Sequence, residues 1–404
     1  MSKTYKFVEL LPWTEFLDVH LKKDPVLFPC YIAKHFKIPF EIVFIRGNKQ
    51  STKITNLPFN GKIIGLHPTL KKRITKLTDL RRIFFLFPLI KYIIKNRNFV
   101  SHYMLFHLTD NSFTLAYFIK LFSPNAKIWL KLDASIEGLK DFLILISKNS
   151  TIKQRIISNR YKKILSKIDL ISTETRCTYD LLKENPFTES LNIQIIPNGL
   201  EEKKSEKPNV KQNLIISVAR FGTYQKNTEL LLNALAKVSL GTWKVFLIGP
   251  IETKEQNFQK IIDVFFDKNP DLKEKIIFTG NINNSELIDE YYEKAKIFIL
   301  PSRFESFGIA ILEALSKGDY LILSDVGAAR DLVKNEDFGY ILPESEQNKQ
   351  NEKIIEQAII VRLQAIIDKK FNIEKNINKR IDFAKQYSMD SIVQSIAIKE
   401  WVTK

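Results

Sequence analysis

The chain has 404 residues. A single hydrophobic core rarely extends over so many residues, so this length predicts two domains. Hydrophobic residues make up 45% of it and charged residues 26%, a balance that excludes an intrinsically disordered protein. The formal net charge of +17 predicts attraction to a polyanion, which could be nucleic acid, an anionic membrane surface or a phosphate-rich ligand.

Targeting and membrane-spanning patterns are not found in the sequence. The N-terminal MSKTYKFVELLPWTEF lacks the unbroken apolar stretch of a signal peptide, and no run reaches the roughly 18 apolar residues of a membrane span. The two cysteines, Cys30 and Cys177, lie far apart and fit neither a metal-ligand spacing nor a disulfide framework. We therefore expect a cytoplasmic protein with reduced thiols.

Short apolar runs in the first half predict the strands of an α/β domain. They are FEIVFI, KIIGL, MLFHL, KIWLKL and IDLIS, with helical sequence between them. A polar, lysine-rich stretch without apolar periodicity follows at residues 201–212. This stretch is typical of a domain boundary, so we predict a first domain over residues 1–200.

The second half alternates strands and helices more regularly. Its predicted strands are LIISVA, WKVFLIG, KIIFTG, KIFILPS and YLILS, and its predicted helices include NTELLLNALAKV, SELIDEYYEKA and SFGIAILEALSKG. Continuously apolar runs bounded by turns suit parallel strands that are covered by helices on both faces. We predict a doubly wound domain over residues 201–382, followed by a helical segment at 383–404 that could cross back to the first domain.

Residues that could contact a ligand follow several strands of the second half. Arg220 and Lys226 come after the first strand, Pro250 after the second and Glu305 after the fourth. Ligands of open parallel sheets bind beyond the carboxyl ends of the strands, where loop amides and helix N-termini converge. Two cations at that edge suit a diphosphate through charge-assisted hydrogen bonds. The alternative is a pair of solvated surface cations in a lysine-rich chain.

The stretch PSRFESFGIAILEALSKG is the most informative in the sequence. Ser306 is predicted to cap the following helix, Gly308 to let a ligand approach its first turn and Gly318 to end it. The backbone amides of Phe307, Gly308 and Ile309 would then face the ligand.

Glu313 is the one acid in this otherwise apolar helix. A helix that is apolar nearly all round is expected to be buried, and a buried carboxylate needs hydrogen-bond donors. Ribose hydroxyls of a bound nucleotide would be such donors. The alternatives are that Glu313 pairs with a structural lysine or lies on a narrow exposed stripe.

These motifs and their order along the chain resemble those of the retaining GT-B glycosyltransferases of family 4. The resemblance rests on SVARF with the lysine that follows it, on IPNGL, and on the carboxylate pair Glu305 and Glu313, eight positions apart. It is specific over roughly residues 195–333 and weak in the first half. It implies an α/β protein of the GT-B class, with two Rossmann-like domains facing a central cleft. The first would bind the acceptor and the second the nucleotide sugar.

The resemblance also implies roles for individual residues. Arg220 and Lys226 would bind the donor diphosphate, and Glu313 would bind the ribose. Glu305, with the amides of residues 307–309, would bind the transferred sugar.

Pro250 would border the nucleobase at its strand end. Family members of this type work without a metal, because a cationic pair can neutralise the leaving diphosphate. The sequence contains no Asp-x-Asp motif, so neither a metal nor any other cofactor is predicted. Retention is attributed in such folds to front-face attack assisted by the leaving phosphate.

The sequence departs from the family pattern at several positions. Ala219 and Asn227 stand where glycine is usual, and KDPVLFP at residues 23–29 replaces the N-terminal glycine-rich loop. The family's histidine near the reacting carbon has two candidate equivalents, Asp133 in KIWLKLDAS and His107 in LFHLTD. Asp133 could orient a hydroxyl or act as a general base, whereas His107 could instead be a structural residue after an apolar strand.

Two basic, apolar segments of the first half, residues 81–97 and 140–167, have the composition of helices that lie on anionic lipid headgroups. The alternative is that both pack on a protein core. With membrane contact, the protein would be peripheral at the inner face of the cell membrane.

The leading hypothesis is a retaining glycosyltransferase that moves a hexose-type sugar from a UDP- or GDP-linked donor to a saccharide or lipid-linked acceptor, in synthesis of envelope polysaccharide or lipopolysaccharide. The alternatives are another enzyme on the same fold, such as a nucleotide-sugar epimerase, and a non-catalytic protein that binds sugar nucleotides. No helix-turn-helix, zinc or RNA-binding signature is present, so nucleic acid is not a predicted partner.

Overall fold

The computed structural model describes residues 6–47, 53–68, 79–148, 150–201, 210–253, 257–282, 284–343 and 349–403. It divides into two compact units, Met1–Glu202 with Tyr387–Lys404 and Lys203–Gln386. Most of the polar stretch in which the sequence predicts the boundary lies outside the described residues.

The first unit is an α/β fold around one sheet. Its strands are β1 Phe7–Leu11, β2 Phe40–Ile45, β3 Asn56–Leu57, β4 Gly61–Leu66, β5 His102–Phe106, β6 Lys127–Lys131, β7 Leu170–Thr173 and β8 Ile193–Ile195. Its first helices are α1 Asp24–Phe36, α2 Asp79–Asn96, α3 Asp110–Phe122, α4 Ile136–Ser147, α5 Ile152–Leu165 and α6 Arg176–Lys183. The strand order is β3-β4-β2-β1-β5-β6-β7-β8, and all neighbours are parallel except β3 and β4.

Both faces of this sheet are covered, which explains its continuously apolar strands. In β1, Val8 and Leu10 enter one core layer, while Phe7 and Leu11 enter the other. Strand β1 is not among the predicted strands, because Glu9 interrupts its apolar run. Glu9 is nevertheless fully buried in the middle of the strand.

The five strands predicted in the first half are confirmed. Several boundaries differ by one or two residues. For example, β5 ends at Phe106, so MLFHL runs past the strand, and β6 ends at Lys131, before the last residue of KIWLKL. His107 consequently lies in the loop that follows β5.

The second unit is a doubly wound parallel α/β domain. Its strands are β9 Leu214–Val218, β10 Lys244–Ile248, β11 Ile276–Gly280, β12 Ile297–Leu300, β13 Tyr320–Leu323 and β14 Gly339–Ile341. Its helices are α7 Thr228–Leu235, α8 Phe258–Lys268, α9 Ser285–Lys294, α10 Ile309–Ser316, α11 Ala329–Leu332, α12 Lys349–Ile367 and α13 Ile377–Ala384. The strand order β11-β10-β9-β12-β13-β14 confirms the predicted parallel sheet.

Each sheet has a point at which the chain reverses its direction of strand addition. In the second unit the chain builds outward from β9 through β10 to β11, then returns to place β12 on the other side of β9. In the first unit the corresponding point lies between β1 and β5. Ligands of doubly wound sheets bind at the carboxyl ends of the strands at such switch points.

The chain ends on the first unit with helices α14 Met389–Val393 and α15 Ile396–Thr403. The backbone of Leu200 accepts a hydrogen bond from the amide of Met389 at 2.9 Å and donates one to the carbonyl of Tyr387 at 3.0 Å. Trp401 of α15 is buried against the rings of Phe7 and Trp129. In the part of the chain that is described, no helix is both long and apolar enough to cross a bilayer.

Candidate active site

The loops after β9 and β12 meet at the switch point of the second unit. The amide of Arg303 donates to the carbonyl of Gln225 at 2.8 Å, and the Gln225 side chain donates to the carbonyl of Phe304 at 3.0 Å. These bonds hold the loop that carries Lys226 against the loop that carries Glu305.

Lys226 and Glu305 form an ion pair at this junction. The Lys226 ammonium contacts Oε1 of Glu305, and the Gln225 amide nitrogen lies 3.3 Å from Oε2 of the same carboxylate. Only 14% of the Lys226 side chain and 8% of the Glu305 side chain are exposed. Two residues predicted from separate strand ends therefore touch, and the pair is less screened by water than a surface ion pair would be.

The start of α10 lies next in the chain and differs from the predicted cap. Gly308, with φ 86°, is the N-cap residue, so the prediction that Ser306 caps the helix is wrong. Only a residue without a side chain adopts this left-handed conformation at low cost. Among the described residues, the backbone N–H groups of Gly308 and Ile309 have no acceptor, as expected for the open end of a helix.

The loop after β13 packs directly on this turn. The amide of Ala328 donates to the carbonyl of Phe307 at 2.9 Å. A Cβ on Gly327 would lie 2.7 Å from that carbonyl oxygen and 2.8 Å from Cβ of Glu305. Phe307 itself is buried. Close backbone approach therefore fixes the segment from Glu305 to Gly308.

Arg220 and Pro250 occupy the ends of the adjacent strands β9 and β10, and both are exposed. Between these strands a Cβ on Gly249 would lie 2.0 Å from the carbonyl oxygen of Ala219, so the backbones approach as closely as glycine allows. Asn227, where the family usually has glycine, has φ 49°. Asparagine tolerates this left-handed conformation better than most residues, so the departure preserves the turn.

Glu313 lies in the second turn of α10, and its Oε2 accepts a hydrogen bond from the buried Tyr292 hydroxyl of α9 at 2.9 Å. Burial and the Glu313 carboxylate raise the pKa of Tyr292 well above its usual value, so its proton stays in place at neutral pH. The apolar side chains in the middle of α10 are buried, as expected, but Glu313 is half-buried and Ile309 is exposed. Gly318, with φ 82°, follows the C-cap of the helix, consistent with the predicted stop.

The first unit brings His107 and Asp133 together beyond β5 and β6. Nδ1 of His107 lies 3.2 Å from Oδ2 of Asp133, and both side chains are partly exposed. Both residues have positive φ, 70° at His107 and 41° at Asp133. Such conformations cost roughly 1–3 kcal/mol each, more than an exposed ion pair contributes, so surrounding structure must impose them. Strain of this kind is concentrated at functional sites.

The segment KDPVLFP, which stands where the family has a glycine-rich loop, forms the start of helix α1. Asp24 is the first residue of α1 and is buried, with Oδ2 3.5 Å from the Lys131 ammonium. Burial raises the pKa of Asp24 to about 7, although Lys131 opposes the shift. A buried carboxyl group thus occupies the helix start where a phosphate contact would otherwise be sought.

Four further residues of these sites were not predicted: Gln225, Tyr292, Lys131 and Glu174, whose Oε1 accepts a hydrogen bond from the Lys131 ammonium at 2.9 Å. Lys131 gives a signal in the sequence, because it interrupts the apolar strand KIWLKL. The other three give none, since each acquires its partner only through packing of distant segments. Within the described ranges, no group of three acidic, histidine or cysteine residues is arranged to hold a metal ion. Metal independence stays a prediction.

Residues 200–359 match the family described as Glycosyl transferases group 1. The chain is 28% identical over 222 residues to the alpha-monoglucosyldiacylglycerol synthase of Streptococcus pneumoniae, covering 50% of this chain and 47% of that protein. It is 26% identical over 163 residues to the lipopolysaccharide core mannosyltransferase LpsB of Rhizobium meliloti, covering 37% and 45%. The chain thus spans about half the length of these curated relatives.

The whole fold also has solved counterparts. One is the Anabaena protein Alr3699/HepE in complex with UDP and glucose, with a TM-score of 0.66 and 14% identity over 98% of this chain and 99% of that one. Likeness at this identity concerns the fold. The chain therefore has the two-domain GT-B fold of Rossmann-like units, and its residues 200–359, nearly all of them in the second unit, are similar to the glycosyltransferase group 1 family.

Proposed function

We propose that the chain is a retaining glycosyltransferase that moves a hexose-type sugar from a UDP- or GDP-linked donor to a saccharide or lipid-linked acceptor. The observation that carries this proposal is the Lys226–Glu305 pair at the switch point of the second unit, beside the open amides of α10. At the carboxyl ends of these strands, a cation could bind a diphosphate, while a carboxylate and open backbone amides could bind the attached sugar.

We assign the nucleotide-sugar donor to the carboxyl ends of the strands in the second unit. Lys226 and the exposed Arg220 bind the diphosphate, and Pro250 borders the base. Glu313, oriented by Tyr292, accepts from ribose hydroxyls. Glu305 and the amides of residues 307–309 bind the sugar.

Transfer proceeds at the sugar carbon that bears the diphosphate. The two cations stabilise the negative charge that develops on the leaving group, so no metal or other cofactor is required. The incoming hydroxyl attacks from the face of the departing phosphate, which takes its proton, and the configuration is retained. We assign His107 and Asp133 of the first unit to orienting that hydroxyl or a hydroxyl of the sugar.

The acceptor class is inferred from relatives that act on membrane glycoconjugates. One is named for a glucosyl diacylglycerol and another for the lipopolysaccharide core. We assign this chain to envelope polysaccharide or lipopolysaccharide synthesis at the inner face of the cell membrane. A nucleotide-sugar epimerase on the same fold, or a protein that only binds sugar nucleotides, remains the alternative.

Labelled UDP- and GDP-sugars offered with an extract of lipid-linked saccharides separate these functions. Label in a lipid or saccharide product, with the anomeric configuration of the donor, supports the proposal. Isomerised free donor supports an epimerase, and donor binding without turnover supports a binding protein. Inverted products would contradict the retaining mechanism.

Helices α4 and α5 supply a surface suited to anionic lipid. Four apolar side chains are exposed there, and that of Ile152 is 77% accessible. They are Ile144, Leu145, Ile152 and Ile156. Lys153, Arg155, Arg160 and Lys163 are exposed on α5, which contains no acidic residue. The other basic segment, α2, buries Leu86, Leu89, Ile90 and Ile93 in the core and exposes Phe84 and Phe87.

We predict that Ile152→Ser/Ile156→Ser lowers binding to vesicles with anionic lipid at least threefold, because two exposed apolar anchors are lost. Flotation of the protein with anionic and with neutral vesicles measures this. Ile354→Ser/Val361→Ser, which removes two comparably exposed apolar residues from α12, is the control and should float like the wild type. Equal flotation of both variants would refute the assignment of this surface.

A further inference from the structure

A fully buried lysine lies directly behind the His107–Asp133 pair. Lys131 is the last residue of β6 and is 0% exposed. Its ammonium donates to Glu174 Oε1 at 2.9 Å, to Asn198 Oδ1 at 2.8 Å and to the carbonyl of Ile196 at 3.4 Å. Glu174 follows β7, and Asn198 belongs to IPNGL after β8. The lysine therefore joins the carboxyl ends of three neighbouring strands.

Both strained residues are tied to this lysine. The amide of His107 donates to the backbone carbonyl of Lys131 at 2.9 Å. The amide of Asp133 donates to Oε1 of Glu174 at 3.1 Å, the same oxygen that accepts from the Lys131 ammonium. The backbone of Lys131 therefore holds one member of the pair, and its side chain holds the other through Glu174.

The charge balance keeps this network together. Burial opposes the charge on Lys131, but the carboxylates of Glu174 and Asp24 raise its pKa above the usual value. Burial raises the pKa of Glu174, and Lys131 opposes that shift. Glu9 is also buried nearby, and its pKa is raised well above the usual value by burial and by Asp24, which favours its neutral form. In the described part of the chain, Lys131 is thus the buried cation that faces Asp24 and Glu174.

A buried ion pair is rarely needed for stability, because apolar residues of similar volume serve as well. Here the pair instead fixes a geometry, since its carboxylate oxygen meets the amide of a residue at φ 41°. We propose that Lys131 and Glu174 are positioning residues that hold the Asp133 carboxylate against His107 for sugar transfer. This inference rests on the proposed function of the His107–Asp133 pair.

The test is the variant Lys131→Met/Glu174→Leu, which removes both charges together. Its kcat should fall about tenfold, whereas its KM for the nucleotide sugar should stay within about twofold, because the donor is assigned to the second unit. The matched control is Lys120→Met/Asp169→Leu. Asp169 pairs with Lys120 and accepts a hydrogen bond from the backbone amide of Ile128 at 2.8 Å. At the other end of β6 it therefore makes the two kinds of contact that Glu174 makes, one with a lysine and one with a backbone amide. The control should keep its kcat within about twofold.

A cycle with Asp133→Asn separates positioning from general structural support. Asparagine tolerates the left-handed backbone, and the variant should lose at least about tenfold in kcat. Adding Lys131→Met/Glu174→Leu should then cause no further loss, because both changes disable the same group. If the double variant does not fold, Glu174→Gln replaces it in the cycle.

The outcomes distinguish the role of the His107–Asp133 pair from the positioning role of Lys131 and Glu174. Full activity of Asp133→Asn would overturn the proposed role of the pair itself. A tenfold loss in Asp133→Asn with full activity in the Lys131 variant would overturn only the positioning role. Losses that multiply in the combined variant, or an equal loss in the Lys120 control, would also overturn it.

Discussion

Replacing Lys226 with methionine should lower kcat about a hundredfold, equivalent to about 2.7 kcal/mol in the activation barrier. Methionine keeps most of the aliphatic length of lysine but removes the cation that is assigned to the leaving diphosphate. The loss should fall mainly on kcat, because negative charge on the diphosphate grows as the sugar–phosphate bond breaks. Initial rates with labelled donor and acceptor, fitted to kcat and KM, measure the effect.

The control for this variant is Lys237→Met. Lys237 also pairs with a glutamate of the second unit, Glu356, but its side chain is mostly exposed. Loss of an exposed pair should leave kcat within about twofold and stability nearly unchanged. A Lys226 variant that turns over like the Lys237 variant would remove Lys226 from the site, and with it the contact that defines the site.

The ends of the strands could be predicted from the sequence, because buried parallel strands have a recognisable local pattern. Runs such as LIISVA and KIFILPS are apolar throughout, and their ends fix where loops begin. This rule led to the prediction of Arg220, Lys226 and Glu305 as site residues. The same rule failed at β1, because the buried acid Glu9 breaks the signature that the rule requires.

Pairings across distant segments could not be predicted. Tyr292 reaches Glu313 from another helix, and Glu174 reaches the amide of Asp133 from another strand. Neither contact leaves a spacing in the sequence, since both depend on how elements pack. The positive φ angles of His107 and Asp133 were equally hidden, because neither residue is one that requires such a conformation.

The cap of α10 shows how a local rule can be overridden. Ser306 is a favourable capping residue by type, but the helix begins at Ile309 after Gly308. The carbonyl of Phe307 is bound by the amide of Ala328, and Gly327 packs on the same turn. Tertiary packing from the β13 loop therefore sets the start of the helix.

Arg380→Met should lower the free energy of unfolding by about 3–5 kcal/mol, the scale expected when one partner of a buried charged network is removed. The Arg380 guanidinium is 1% exposed and donates to the carbonyls of Gly318, Asp337 and Ile373, at 2.9, 2.6 and 2.6 Å. Methionine would leave these buried oxygens without a donor. Urea unfolding followed by circular dichroism measures the change, and Lys379→Met, at an exposed neighbouring residue, should unfold like the wild type.

The pH dependence of this deficit provides a second test. Burial raises the pKa of Asp319 to about 7, although Lys211 and Arg380 oppose the shift. Wild-type stability therefore has a contribution from neutral Asp319 that is lost as pH rises from about 4 through 7. Arg380 limits that loss by attracting the ionised carboxylate, so the deficit of Arg380→Met should be larger at about pH 8.5 than at about pH 5.5. A deficit that is constant over this range would mean that the carbonyl contacts alone account for the role of Arg380, while a deficit larger at low pH would contradict the assigned attraction.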